Sequence, residues 1–210
     1  MLLFALILAY FLIGGILFNH LFKPAKPNYA AFFKENKHFV SHTEGFKQEI
    51  IKVENDWVYS RVEMQAFAAG PPEHIHEYFD ELFRVEKGTA TILVNGEKKT
   101  LKAGESLLIP KGTPHKPFNE SNEVVVLDDP ITQTATLPAS FAYGLITLYP
   151  EMDKIGDVKS PKNLLVLAAQ GNDFDTWSSD LPIPAQKVMR WLLGPTARLM
   201  GYGKWKNSAR

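Results

Sequence analysis

The chain contains no cysteine in 210 residues. That excludes a disulfide framework, a thiolate metal site and a cysteine nucleophile. It also lacks an excess of either charge sign, with 23 Lys and Arg against 23 Asp and Glu, so no basic surface for nucleic acid is expected. No charged residue falls between Leu2 and Phe18. What remains is an apolar fraction of 45%, enough for one cored domain with attachments.

The uncharged run continues through Asn19-His20-Leu21-Phe22. At about 1.5 Å per residue, roughly 21 residues suffice to cross a ~30 Å hydrocarbon core. No basic stretch precedes it and no small-x-small site follows, which favours a retained anchor over a cleaved signal peptide. Residues 1–22 are therefore expected to be a single-pass transmembrane helix, with membrane lipid as a partner. Lys23, Lys26, Lys34 and Lys37 follow the run, which places the soluble part on the cytoplasmic side. Residues 23–45, broken by Pro24 and Pro27, are expected to be a linker. His20, His38 and His42 have no candidate co-ligand nearby.

Between Phe46 and Leu127 the sequence consists of short runs rich in Val, Ile, Leu, Phe and Thr. Asn95-Gly96 between Ile92-Leu93-Val94 and Lys98-Lys99-Thr100 predicts a two-residue hairpin, because both positions tolerate positive φ. Ile109-Pro110-Lys111-Gly112 predicts a second turn. So many short strands predict a mainly β domain over 46–130, closed as a barrel or jelly roll. Asp128-Asp129-Pro130 is expected to end it as a turn. Residues 131–210 form a C-terminal extension. There Pro161 to Gln170 predicts a helix, Ala139 to Leu148 a helix or strand, and Asn172 to Ile183 a loop. Pro184 to Gly201 predicts an amphipathic, basic, Trp191-bearing helix, kinked or divided at Gly194-Pro195. With Lys187, Arg190 and Arg198 it is expected to lie on an anionic membrane surface, the alternative being a helix packed on the β domain.

One stretch carries chemistry. His74 and His76 are two apart and so share a face on an extended strand; Glu81 lies on the next strand-like run, and His115 follows the Pro110–Gly112 turn. Three imidazoles and a carboxylate meeting inside a β domain would hold a first-row transition metal. Period-2 geometry puts Phe79, Phe83 and Val85 on the face of Glu81, and Pro117 and Asn119 on that of His115. A substrate pocket is expected from Phe79, Phe83, Phe118 and Asn119. Arg84 falls on the outward face, so the interior is poor in cations, against a phosphate or oxalate ligand.

The two blocks are His74-x-His76-x4-Glu81-x6-Gly88 and Gly104-x5-Pro110-x-Gly112-x2-His115-x3-Asn119. Together they resemble the paired motifs of the cupin superfamily. The one departure is the glycine that opens the first motif, which would fall at Ala68; Gly70 lies close by. The resemblance covers about residues 46–130. It implies a jelly-roll β-barrel whose ligands His74, His76, Glu81 and His115 hold a divalent Fe, Mn, Ni or Zn ion. Cupins include dioxygenases, isomerases, decarboxylases and non-catalytic binding domains, so the fold does not fix the reaction. The expectation is a membrane-anchored metalloenzyme, dioxygenase-like or isomerase-like, acting on a small and fairly apolar molecule, with Glu81 doubling as proton acceptor. The alternative is a non-catalytic domain that senses a small ligand at the membrane. Homodimerisation through edge strands is expected by analogy with the family.

Overall fold

The computed structural model describes residues 1–21, 23, 27–127, 137–157 and 160–203. The chain divides into two compact units. One comprises Pro27–Tyr143 with Asp175–Asp180, and the other Met1–Lys26, Gly144–Phe174 and Leu181–Arg210.

The first unit is the β domain. A helix, α2 (Tyr29–Glu35), starts at Asn28, whose side chain accepts from the Ala31 N–H at 3.0 Å. The strands are β1 (His38–Ser41), β2 (Phe46–Glu54), β3 (Trp57–Met64), β4 (His74–Ile75), β5 (Glu81–Lys87) and β6 (Thr89–Val94). There follow β7 (Glu97–Lys102), β8 (Ser106–Ile109), β9 (His115–Phe118), β10 (Val125–Leu127), β11 (Leu137–Pro138) and β12 (Trp177–Ser178). They form a seven-stranded sheet ordered β1-β2-β3-β10-β5-β8, with β11 also on β3, and a five-stranded sheet ordered β12-β4-β9-β6-β7. Among the described residues no ladder joins the two, so the expected closed barrel is an open pair of sheets. The outer edge of β4, where closure would continue, is taken by β12.

Alternation explains the core. Phe83 and Val85 from β5, Ile109 from β8, and Val125 and Leu127 from β10 meet Ala90 and Ile92 from β6 and Leu101 from β7 in one apolar cluster. Asn95 and Gly96 take φ of 50° and 80° between the paired Val94 and Glu97, the hairpin that the sequence predicts. Asn55 and Asp56 do the same between β2 and β3, at 51° and 61°.

Two stretches read as irregular are built into the domain. The expected linker carries α2 and β1, and β1 runs antiparallel to β2, so it extends the sheet. Its alternating burial, with Phe39 and Ser41 inward, is too short to register as a period. The expected loop between Asn172 and Ile183 contains β12, where Trp177 pairs with Ile75 and is fully buried.

The second unit is helical. Helix α1 (Leu2–Leu21) has the length and apolarity to cross a membrane, with a π-helical turn at Gly14–Phe18. Most of its side chains are exposed. Its other helices are α3 (Ala139–Ile155, of which Gly144 onward belongs here), α4 (Pro161–Gln170) and α5 (Ile183–Leu199). Helix α4 is capped by Ser160 with Pro161 at its first position.

Of the two outcomes expected at Gly194-Pro195, a kink or a division, helix α5 shows no division and continues through Pro195. Proline cannot donate to the carbonyl four residues back, that of Trp191. The Asn19 amide donates to that carbonyl instead, at 2.7 Å, so the lost bond is replaced from α1. Two of its three basic residues, expected on a membrane surface, do not face outward: Arg190 and Arg198 are buried and bond main-chain carbonyls. The predicted turn at Asp128-Asp129-Pro130, Pro24 and Lys26 of the expected linker, and the basic tail after Gly203 lie outside the described residues.

Candidate metal centre

His74 and His115 lie directly opposite each other on β4 and β9. His76 follows β4 on the same edge, its ring centroid 4.9 Å from that of His74 and 5.3 Å from that of His115. Glu81 opens β5 in the other sheet. The structure brings one ligand atom from each of the four residues within 4.8 Å of the others. Ligands of one ion at about 2.1 Å lie at most ~4.2 Å apart, so small adjustments complete a coordination shell.

The turns that carry the ligands are fastened to each other. The Gly112 N–H donates to the His76 carbonyl at 2.7 Å, and the Lys111 N–H to Asp80 Oδ1 at 2.8 Å. The second motif's turn thus rests on the first motif's chain. The positive φ expected of the opening glycine belongs to Gly70, at 65°, while Ala68 is buried and its carbonyl accepts from the Asn119 N–H. A Cβ at Gly70 would come within 1.9 Å of the Pro117 carbonyl oxygen, so only glycine fits there.

Each imidazole is oriented the same way. Nδ1 of His74 donates to the Pro72 carbonyl at 2.9 Å, Nδ1 of His115 to the Thr113 carbonyl at 2.9 Å, and Nδ1 of His76 to the Asp175 carbonyl. With the proton on Nδ1, the Nε2 lone pairs are left for the centre. His76 Nε2 is buried without a hydrogen-bond partner and sits 3.3 Å from Glu81 Oε2. A bare lone pair facing a carboxylate oxygen is repulsive unless a cation lies between them. His115 Nε2 is 2.8 Å from the same Oε2. That contact is favourable only with a proton, which makes His115 an imidazolium when no metal is bound.

The electrostatics agree. Burial would lower the His115 imidazole, but its pairing with Glu81 wins and raises it. Burial would raise the Glu81 carboxyl, but the imidazoles of His115 and His76 hold it well below the usual carboxylate range. His74 is pushed down to about 3, by burial first and then by the other two imidazoles, so it is neutral near pH 7. Three imidazole nitrogens and one carboxylate, one nitrogen without a hydrogen-bond partner, form a donor set that fits a divalent first-row metal once a metal takes the place of the His115 proton.

The expected pocket residues divide. Phe79 stacks on His76 with centroids 4.2 Å apart at 23°, Phe141 meets the same ring edge-on at 4.9 Å, and Phe83 lies 6.0 Å from His115. Phe79 and Phe83 are buried, so they brace the ligands and belong to the core. Phe118 alternates away from His115, and Lys98 and Lys116 sit over its ring at 5.5 and 5.7 Å. Asn119 Nδ2 donates to the Gln65 and Glu123 carbonyls and its Oδ1 accepts from Ser121 N–H and Oγ–H, which uses all four of its positions.

Sequence reasoning missed Asp175. Besides its main-chain contact with His76, its Oδ1 accepts from the Glu77 N–H at 2.9 Å and from Trp177 Nε1 at 2.9 Å, and its Oδ2 from the Tyr78 N–H at 2.7 Å. The signal available was Phe174 and Trp177, large aromatic residues on either side of Asp175 in a mostly polar stretch.

Comparison with known proteins agrees with the motifs. Residues 60–129 match the Cupin_2 family, described as a cupin domain. The pectin degradation protein KdgF of Dickeya dadantii (strain 3937) is 28% identical over 85 residues, 40% of this chain and 76% of that protein. The solved KdgF of Halomonas sp. is 26% identical over 40% of this chain and 76% of its own, with a TM-score of 0.37. A cupin-2 domain protein of Shewanella frigidimarina NCIMB 400 is 28% identical over 49% of this chain and 92% of its own, with a TM-score of 0.33. The similarity to a cupin domain lies over residues 60–129 of this chain.

Proposed function

We propose that this chain is a membrane-anchored, metal-binding cupin that presents a divalent Fe, Mn, Ni or Zn ion to a small, fairly apolar molecule. The observation that carries this reading is the common orientation of the three imidazoles, each with Nδ1 tied to a main-chain carbonyl, beside Glu81, whose Oε2 faces Nε2 of His76 and His115. Such an ion supplies Lewis-acid polarisation of a bound oxygen and, for iron, redox chemistry with O₂. The chain contributes the rest. His74, His76 and His115 hold the ion in place, and the apolar rings of Phe79, Phe83 and Phe141 keep water from their far sides. Glu81, with a side chain 15% exposed, is the ligand best able to take a proton from a bound molecule at its carboxylate. Helix α1 serves as the anchor, and the lysines that follow it favour the cytoplasmic side for the β domain.

The test is elemental analysis of the full chain, purified in mild detergent without chelator, beside His115→Ala. About one transition-metal ion per chain is expected in the parent and less than a tenth of that in the variant. A parent with no stoichiometric metal, even after incubation with each of the four ions, would overturn the reading. Oxygen uptake with phenolic or diketone compounds then separates an oxygenase from a non-redox site.

A further inference from the structure

Helix α5 has its polarity reversed. Its buried positions include Gln186, Arg190 and Arg198, whereas Val188, Trp191, Leu199 and Met200 are 56, 37, 52 and 60% exposed. A helix on a water-facing surface buries its apolar stripe. The reverse arrangement is stable where the surroundings are apolar and the protein itself satisfies the inward polar groups. That satisfaction is present. Arg190 Nη1 donates to the Gly171 and Phe174 carbonyls at 3.2 and 2.7 Å. Arg198 donates from Nη1 to the Ala169 carbonyl at 3.3 Å and from Nη2 to Asn19 Oδ1 at 2.8 Å.

The same helix is clasped to α1 well inside the apolar run. Gly15 lies flush against Trp191, where a Cβ would come within 2.3 Å of the indole. The Tyr10 hydroxyl bonds Thr196 Oγ1 at 3.2 Å, and Asn19 reaches the Trp191 carbonyl. From Tyr10 to Asn19 the contact spans about 14 Å of helix rise, near half of a ~30 Å hydrocarbon core. A helix resting on the headgroups could touch only the end of a span.

We propose that α5 is sunk into one leaflet beside α1, with its Val188, Trp191, Leu199 and Met200 face against the acyl chains of a phospholipid bilayer. This rests on the reading of α1 as a membrane span. Exposed apolar side chains lie on both helices that meet at the Gly15–Trp191 contact, among them Leu8, Leu12 and Ile16 on α1. Arg190 and Arg198 act as internal fasteners of the helical unit instead of as contacts to anionic lipid.

The absence of cysteine makes the test direct. Single Val188→Cys, Leu199→Cys, Leu8→Cys and Lys99→Cys variants of the full chain are nitroxide-labelled and reconstituted in phosphatidylcholine/phosphatidylglycerol vesicles. Collision with O₂ and with a water-soluble nickel chelate is then measured by electron paramagnetic resonance. Labels at 8, 188 and 199 are expected to favour O₂ at least threefold relative to the label at 99. Nickel-accessible labels at 188 and 199 beside a lipid-buried label at 8 would overturn the placement of α5 and leave the anchor standing. Labels at 188 and 199 shielded from both reagents would also overturn it, in favour of a protein partner. A nickel-accessible label at 8 would overturn the span itself.

Discussion

Nδ1 of His76 donates to the main-chain carbonyl of Asp175, a residue 99 positions later in the chain and outside residues 60–129. The Asp175 carboxylate holds the backbone of Glu77 and Tyr78 and the Trp177 indole at the same time. One residue of the C-terminal extension thereby fixes both the tautomer of a candidate ligand and the path of the chain that follows it. Asp175→Asn leaves the main-chain carbonyl but places an amide where at least one N–H must be accepted. It should weaken metal binding about 10–100-fold, the usual effect of losing an outer support. A Co²⁺ titration followed by its visible spectrum checks this. Altered absorption bands in the saturated variant identify a displaced ligand, which a merely less stable fold would not produce.

The proton shared by His115 and Glu81 makes metal binding pH-dependent with a definite sign. The His115 imidazole is raised by Glu81, so its contribution to metal-free stability is complete below about pH 6.5 and is lost as pH rises through the folded value. The Glu81 carboxyl is lowered by the paired imidazoles, so its contribution is present above about pH 4.3 and lost as pH falls below that. His74, lowered to about 3, subtracts stability as pH falls from about 6.5 toward 3, because the unfolded chain takes its proton first. A metal ion replaces the His115 proton, so affinity should rise with pH. Calorimetric titrations at pH 6 in buffers of different ionisation enthalpy should report release of close to one proton per ion bound. No proton release at any pH between 5.5 and 7 would contradict this arrangement.

Glu81→Gln preserves shape but removes the one negative charge among the ligands. Metal affinity should fall by more than the roughly 10–100-fold of an outer-shell loss. His115 should also lose the partner that raises it. If Glu81 is only a ligand, any turnover of the variant saturated with metal should match the parent. If it also accepts a proton, turnover at saturation should drop a further ~10²-fold or more. Metal content and turnover measured on the same samples distinguish the two.

The ligand set was legible because its signal is local. His-x-His fixes two side chains on one face, and Pro110 with Gly112 fixes the turn before His115, all within 42 residues of chain. The Asn95-Gly96 hairpin was legible for the same reason. Parts that depend on distant pairing were not. β1 is four residues and β12 two, and each exists because a partner strand offers it an edge. Phe118 and Asn119 looked like pocket residues because aromatic and amide groups suit ligands. The structure places Phe118 under Lys98 and Lys116, and the Asn119 side chain in four hydrogen bonds with the loop around it. The basic residues of α5 suggested an outward polar face. Only the carbonyls of Ala169, Gly171 and Phe174 and the Asn19 side-chain oxygen show why the arginines turn inward.

Gly70 tests whether the shifted glycine performs the role that Ala68 cannot. Its φ of 65° costs a side-chain-bearing residue about 1–2 kcal/mol. The Cβ of Gly70→Ala would also sit 1.9 Å from the Pro117 carbonyl oxygen, two residues beyond His115. The chain there must move, and β9 carries that movement to His115. The variant should therefore melt several degrees below the parent and bind Co²⁺ more weakly. Ala68→Gly removes only a buried methyl and should cost about 1 kcal/mol with metal affinity unchanged. Thermal melts and metal titrations of both variants check the pair. Equal metal affinity in the two would show that the turn at Gly70 does not set the position of His115.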